Sequence, residues 1–554
     1  MVDSCRAGER RVAGWWATAV AFLVAPLSGA GAQAPVAHFS LGEQCLACHN
    51  GMTSSQGEDL SIGMDWSATM MANSSRDPYW QAAVRREALD HPESAAAIEA
   101  ECARCHMPMM SLEAEARGEP VELFANLPSA ATSPDADAVA AMHRGLAADG
   151  VSCSVCHRIE PEGLGSEESF VGHFEIDLGS AAGPHTTYGP FDVDEGLVEI
   201  MRSATSHVPQ RGEHVRSSEL CASCHTLLTH TLGEGGAVLG ELPEQVPYLG
   251  WRHSDFAASQ SCQSCHMPQV EGEVPISSVL GEPREGVARH AFRGGNFFVL
   301  RMLGRYRDEL AVTAPTHAFE AAARRTLDHL AEASARLEVQ RLDRRGGVLE
   351  AELRIEALTG HKLPTAYPSR RAWLHVALRD TGGNVLWQSG AVRPDGSIAG
   401  NDNDVDPDRF EPHRRVVEQE EDVQIYEAIL ADPAGRLTTG LLTALSYAKD
   451  NRLLPSGFDK HTAEERIAVH GGARDDADFV GGGDRIVYRI EVGEATGPLR
   501  FEARLLYQPI GYRWAENLAP YADLALEAER FLRYYREMSA ESTAVLAEVV
   551  AKVP

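Results

Sequence analysis

The sequence predicts a mostly irregular and α-helical N-terminal domain, followed by a β-sandwich-like domain with C-terminal helices. Three observations carry that expectation. Ten of the eleven cysteines fall into five identical motifs confined to residues 45–266. Period-two alternation of apolar residues takes over after residue 335, and the end of the chain returns to helical spacing.

At the start, Arg6, Arg10 and Arg11 precede an apolar run, 12–27, and a small-residue stretch, 28–34. That is the pattern of a secretory leader. Ala30-Gly31-Ala32 offers a cleavage site, so residues 1–32 read as a signal peptide that removes Cys5 with it. Pro26 and Gly29 break the run short of the about 20 residues a membrane span needs, and no later stretch is long and apolar enough to cross a bilayer. The expectation is an exported chain, periplasmic or on the cell surface. The 50 Lys plus Arg against 80 Asp plus Glu give a net charge of −30, which argues against nucleic acid as a partner.

The five motifs are Cys45, Cys48 and His49; Cys102, Cys105 and His106; Cys153, Cys156 and His157; Cys221, Cys224 and His225; and Cys262, Cys265 and His266. Each reads CxxCH, the attachment signature of c-type haem. On one helical turn, positions i, i+3 and i+4 share a face, so two thiols and an imidazole address one object. The thiols would form thioethers with the haem vinyl groups and the histidine would be the proximal iron ligand. A zinc site or redox dithiol also uses CxxC, but a histidine follows the second cysteine in all five. The expected cofactors are therefore five covalently bound haem c.

Residues 33–315 are read as a pentahaem domain of loops with short helices at 79–89, 138–146 and 297–307. Such a stretch has little conventional core, and the buried faces of the porphyrins are expected to replace it. Residues 316–335 carry Phe319, Ala322, Leu327 and Leu330 at helical spacing and read as a connector. Alternating runs between 337 and 507, with a turn at Asp380-Thr381-Gly382-Gly383-Asn384, read as the strands of a β-sandwich-like domain over 336–520. Residues 521–554, with Leu524, Leu526, Ala528, Phe531, Leu532 and Tyr535, read as helices packed back on that sheet.

Five irons with a histidine below leave five sixth ligands to find, and two ligands make a wire where one leaves a reactive site. His143 and His214 lie shortly before their nearest motifs, and His290 sits beside glycines that let backbone approach a macrocycle closely. Met70 and Met71, in the stretch 66–72, are the methionine candidates, with packing against a porphyrin edge the favoured alternative for either; methionine ligation would raise a haem potential. Met107, Met109, Met110 and Met267 follow motif histidines and are expected only to pack. Two acidic stretches, 401–406 and 475–478 with Asp484, hold oxygen ligands suited to calcium without the spacing of a known calcium loop; a solvated surface is the favoured reading.

These stretches resemble a group of multihaem cytochromes c in which a haem domain precedes a separate β-rich domain. The resemblance rests on 66–80, Asp149-Gly150-Val151-Ser152-Cys153, 218–227, Tyr248-Leu249-Gly250-Trp251 and 290–296. In the second half it rests on Gly360-His361-Lys362-Leu363-Pro364-Thr365, 368–373, Gln424-Ile425-Tyr426-Glu427 and 449–455. The haem part is also similar to the tetrahaem carriers of nitrifiers. The resemblance implies electron transfer between redox partner proteins through mostly bis-histidine haems. His361 could reach back to cap a haem or could simply anchor a loop. Two alternatives stand beside the carrier: an oxidoreductase acting on a small nitrogen compound at one open-site haem, and a docking module built on the β domain. A pentahaem nitrite reductase would be expected to carry CxxCK at its catalytic haem, and all five motifs here end in histidine.

Overall fold

The computed structural model describes residues 35–130, 137–493 and 497–553; the expected leader, 1–32, lies outside them. Helices in the first half begin where capping chemistry allows. Pro78–Asp90 starts with Pro78 in its first turn, and the Asp77 carboxylate accepts from Tyr79 N and Trp80 N at 2.9 and 3.2 Å. Asp137 and Asp194 cap Ala138–Ala148 and Glu195–Thr205 in the same way. Phe297–Arg305 and Thr316–Ala333 pack together and bury Phe297, Phe298, Leu303 and Phe319 completely.

This half has more apolar packing of its own than the loop-rich sequence suggests. Ile98, Met107, Met109, Met110, Leu123, Leu127 and Leu146 form one buried cluster around the second motif. The first half also contains an antiparallel hairpin, Leu227–Leu232 with Val238–Gln245, and a parallel pair, His185–Gly189 with His207–Arg211.

In the second half, Ala335–Arg345 and Val348–Ala357 form a hairpin, Gly483–Glu491 continues it antiparallel, and Val416–Val417 adds a parallel edge. A second sheet runs Val385–Ser389, Arg371–Arg379, Leu499–Gln508, Ala544–Val553, with Ile425–Tyr426 also on Arg371–Arg379. Alternation sends Leu349, Ala351, Leu353 and Ile355 inward, and their neighbours Ile486, Tyr488 and Ile490 likewise. Both sheets, and the helices Phe297–Arg305, Thr316–Ala333 and Leu526–Met538, contribute to one apolar core.

The tail departs from the all-helical expectation. Leu526–Met538 is a helix, but Ala544–Val553 is a strand paired along Leu499–Gln508. Val545, Val549, Val550 and Val553 are β-branched, and Ala544, Leu546 and Val553 turn inward, so the stretch satisfies an open sheet edge better than it extends a helix.

The motif-bearing stretch and the β-rich stretch are stitched together. Leu232 N donates to Leu442 O at 2.7 Å, Thr231 Oγ1 to Ala444 O at 2.5 Å, and Arg85 meets Glu527 at 3.1 Å. Gly150 marks another close approach: its φ is +61°, and a Cβ there would lie 2.7 Å from Met71 O and 2.8 Å from Ala72 O. Gly150→Ala is expected to cost about 1–3 kcal/mol, read as a shift in denaturant midpoint with an unchanged slope.

Candidate functional site: a chain of buried imidazoles

Each CxxCH motif lies on or at the end of a short helix, so its cysteines and histidine share a face as the spacing requires. All ten motif cysteines are free thiols. The fold brings the motifs together from distant parts of the sequence. The Cys45 side chain lies close to that of Cys153, Cys221 to Cys262, and Cys224 to Cys105, while Cys156 neighbours Cys224. The motifs therefore run first, third, fourth in space, and the fourth touches both the second and the fifth.

Cys48, Cys102 and Cys265 depart from this pattern, although the sequence gives them the same standing as the other seven. All three are half-buried. The Cys265 thiol donates to Gln260 Oε1 at 3.3 Å, and the Cys265 carbonyl accepts from Arg293 at 3.1 Å. Cys48 is fixed through its backbone: its carbonyl accepts from Ser278 N at 2.9 Å and from the Ser278 and Ser277 hydroxyls at 3.0 and 3.3 Å. The first, second and fifth motifs are the ends of the spatial order, so one cysteine of each borders the surrounding protein and not another motif.

Burial pushes the Cys156 thiol up to about 12 and the Cys102 thiol higher still, so neither is a ready thiolate. Among the described residues, the group of three metal-ligating side chains with mutually close donor atoms is His413, Asp476 and Asp484, which includes no motif residue. No preformed tetrahedral thiolate site of the zinc type is present among them.

The motif histidines share a second feature. Nδ1 lies against a backbone carbonyl in four of the five: His49 with Ile276 O at 2.7 Å, His157 with Tyr188 O at 2.6 Å, His106 with Ser74 O at 3.3 Å, and His266 with Arg293 O. A carbonyl can only accept, so Nδ1 carries the proton and the Nε2 lone pair is left free. Burial holds His106 and His225 neutral down to about 4 and lowers His157 and His266 as well. Neutral rings with an oriented, unused Nε2 are the form a metal takes. His106, His157 and His266 are half-buried.

Two motif histidines face another imidazole at a telling separation. His157 and His290 have ring centroids 6.2 Å apart and His266 and His361 6.3 Å apart, with planes at 28° and 13°. Metal–imidazole bonds run about 2.0–2.1 Å, and a ring centroid lies roughly 1.2 Å behind its Nε2, so two imidazoles sharing one metal have centroids about 6.4–6.6 Å apart, close to both separations here. His361 Nδ1 is turned to Lys362 O at 3.0 Å, which frees its Nε2 as in the motif histidines. His290 is half-buried, and its Nδ1 atom is buried with no hydrogen-bond partner.

The other sequence candidates sit differently. His143 is buried with no hydrogen-bond partner at Nε2, 3.7 Å from Glu119 Oε2. His214 commits Nε2 to Ile159 O at 2.9 Å and packs edge-on to Tyr188 at 4.7 Å. Met70 is partly buried against the main apolar core. His185 and His207 also stand 6.3 Å apart, but Nδ1 of His185 accepts from the Arg158 guanidinium at 3.1 Å and His207 meets the hydroxyls of Thr187 and Ser40. Both are engaged by the protein itself.

Sequence reasoning missed several participants. Trp80 lies flat on His106, centroids 4.2 Å apart and planes within 5°. His329, on Thr316–Ala333, approaches His266 at 6.1 Å and 66°. The His361 loop is held by a buried ion cluster: Lys362 Nζ meets Asp450 at 2.7 Å and Ala468 O at 3.0 Å, and Arg452 bonds Asp450 through Nε and Nη2 at 2.8 and 2.7 Å. Burial alone would raise the Asp450 carboxyl, but Arg452 and Lys362 hold it well below the ordinary range. Backbone bonds between Leu363 and Leu453, 2.8 and 2.9 Å, complete the clamp. A histidine followed by a buried lysine is a signal that surfaces only once the partner, far along the chain, is known.

The acidic stretches are largely engaged by basic groups, hydroxyls and backbone N–H. Asp404 pairs with Arg371 at 2.7 Å and Asp402 with Arg409. In the second cluster, Nδ1 of His413 faces the amide groups of Gln424 and Asn451 at 3.0 and 3.1 Å, so Nε2 donates to Asp476 at 3.0 Å. Tyr426 O–H and Arg485 N–H donate to Asp484 at 2.8 Å each. Hydrogen bonds within the protein satisfy the cluster.

No protein-family model matches the chain, and no curated protein matches it. Among solved structures it is similar to a penta-heme cytochrome c552 from Thermochromatium tepidum, at 16% identity and a TM-score of 0.50, over 93% of this chain and 99% of that one. At that identity the likeness shows the fold: helices and several sheets in the arrangement of a multihaem cytochrome.

Proposed function

We propose that this chain is an exported pentahaem c-type cytochrome that passes electrons between redox partner proteins. The carrying observation is the set of motif histidines whose Nδ1 is tied to a carbonyl and whose Nε2 is free, two of them faced by His290 and His361 at the separation of a shared metal. The penta-heme description of the similar structure supports the reading. Haem supplies a one-electron iron couple; the chain's residues hold, orient and insulate it. Cys45 with Cys48, Cys102 with Cys105, Cys153 with Cys156, Cys221 with Cys224 and Cys262 with Cys265 would be the attachment points. The half-buried setting of Cys48 and Cys265 leaves both free to form a thioether, with only the Gln260 hydrogen bond to give up at Cys265. His49, His106, His157, His225 and His266 would bind below the iron, with His290 opposite His157 and His361 opposite His266. His143, with its unused Nε2, is the next candidate opposite ligand; His214 and Met70 would need to turn.

Contact between motifs gives the electrons a route: first to third to fourth, with branches to the second and fifth. The β-rich half, a β-sandwich-like module in this reading, supplies His361 and closes the fifth site. No described helix is long and apolar enough to cross a membrane.

The test is the mass of the purified chain with its haemochrome spectrum, expected to show five covalent haems per chain. Paramagnetic resonance of the oxidised protein is expected to be low-spin at the sites of His157 and His266, with spectra unmoved there by nitrite or hydroxylamine. A chain without covalent haem overturns the reading, and a nitrite-responsive high-spin centre elsewhere turns it toward the oxidoreductase.

A further inference from the structure

The loop that carries His290 serves three motifs and has little regular structure of its own beyond the short pair Val274–Pro275 with Pro283–Arg284. Its two ends close on each other: Arg293 N donates to His266 O at 3.0 Å, and Arg289 N to Pro268 O at 2.9 Å. In between, Ile276 O faces His49 Nδ1 at 2.7 Å, and Val270 N donates to Val287 O at 2.8 Å. His290 itself stands in a turn between the contacts of Arg289 and Arg293. A side chain on a turn holds a set geometry less well than one on a helix or strand, so its place depends on how firmly its neighbours are held.

The neighbour that is held is Arg289. The Asp65 carboxylate accepts from its Nε at 2.7 Å and from its Nη2 at 3.0 Å, a bidentate pair that fixes direction as well as distance. Asp65 is 5% exposed, and Asp65, Arg289 and His290 line one small enclosed cavity with Met52, Leu60 and Val274, so water has little access to weaken the pair. A second carboxylate, Glu58, also meets Arg289, but its side chain is 58% exposed. Asp65 lies on the short helix Ile62–Trp66, which is tied down on other sides. Gly63 N donates to Asn50 Oδ1 at 3.0 Å, next to the first motif, and Trp66 Nε1 donates to Val151 O at 3.1 Å, just before Cys153. One helix therefore reaches both sides of the third site: Val151 leads into the motif of His157, and Arg289 precedes the facing His290.

We propose that Asp65 is the positioning residue of the third haem site: through Arg289 it fixes where His290 stands, and through Trp66 and Val151 its helix sets the gap to His157. This rests on the haem reading above, in which His157 and His290 share one iron across 6.2 Å. The effect is one of geometry. With the carboxylate gone, Arg289 keeps only the exposed Glu58 and the Asp59 carbonyl at 3.3 Å, and the turn is free to carry His290 away from the iron. Loss of an outer partner of a metal-bound histidine costs about 10–100-fold in metal affinity, and an axial position that opens part of the time admits small ligands.

The experiment is carbon monoxide uptake by the dithionite-reduced holoprotein, with paramagnetic resonance of the oxidised form, in wild type, Asp65→Ala, Glu58→Gln and His290→Ala. His290→Ala opens the third site outright and gives its carbon monoxide spectrum. Asp65→Ala is expected to take up carbon monoxide at that same site about tenfold faster than wild type or more, with the other centres unmoved. Glu58→Gln is expected to match wild type, since an exposed pair contributes little. Arg289→Lys keeps the charge but loses the fork; it is expected to fall between wild type and Asp65→Ala and covers the case in which Asp65→Ala does not fold. Uptake in Asp65→Ala equal to wild type, a loosening of all the centres together, or Glu58→Gln acting as strongly as Asp65→Ala overturns the proposal. A wild-type chain without covalent haem, or a His290→Ala variant with an unaltered spectrum, defeats the parent reading and this proposal with it.

Discussion

His361→Ala is expected to turn one low-spin centre of the oxidised protein high-spin while all five haems stay covalently attached. The ring stands 6.3 Å from His266 with nearly parallel planes, its Nδ1 is spent on Lys362 O, and burial keeps it neutral down to about 4. No thioether depends on it, so mass and haemochrome are unchanged. Axial ligands move haem potentials over about 0.8 V, so loss of one imidazole is expected to shift that centre by roughly 100 mV or more. His329→Ala is the control, because His329 meets His266 at 66°; it should leave the spin state alone. An unaltered resonance spectrum in His361→Ala returns this histidine to a loop anchor.

Asp450→Asn is expected to be the most destabilising single change in the β-rich half, at about 3–5 kcal/mol, because it strands Lys362 and Arg452 as buried, unpaired cations. Pairing the change with Lys362→Met should recover part of the loss. The pH dependence has a defined sign. Asp450 is more acidic folded than unfolded, so its contribution is complete above the ordinary aspartate range, about 3.9, and is lost as pH falls toward the folded value. Urea titrations at acid and neutral pH should show that slope in the wild type and a weaker one in Asp450→Asn. Since Lys362 adjoins His361, the variant should also broaden the fifth centre's spectrum; a sharp, native spectrum with full stability would remove the clamp from the account.

Local chemistry was readable from the sequence. The i, i+3, i+4 face of each CxxCH motif, the Asp77-Pro78 helix start and the alternation of Leu349 to Ile355 are set by neighbours within one turn or strand. Relationships that depend on closure were not readable. His361 opposite His266 and Lys362 against Asp450 join residues from separate elements, and no spacing rule links them. The same holds for the outlying places of Cys48, Cys102 and Cys265, since five identical motifs carry no mark of which will end the spatial order. The tail shows this limit within one segment: apolar spacing fits helix through Met538, but Ala544–Val553 takes its form from the open edge of Leu499–Gln508, a partner that exists only in the folded sheet. The second acidic stretch reads as solvated surface by composition, yet Asp476 and Asp484 are inside, held by His413 and Tyr426.

The distance along the chain between His266 and His361 also sets a timetable. Chains are made and folded from the amino end, so the fifth motif is complete well before the residue that faces it exists. Until the loop carrying His361 is clamped by Asp450 and Arg452, that iron would be open to peroxide and other small oxidants. Docking of the β-rich half would then act as the final inspection step of assembly. Damaged or unfinished chains would be recognisable by their reactivity rather than by their colour.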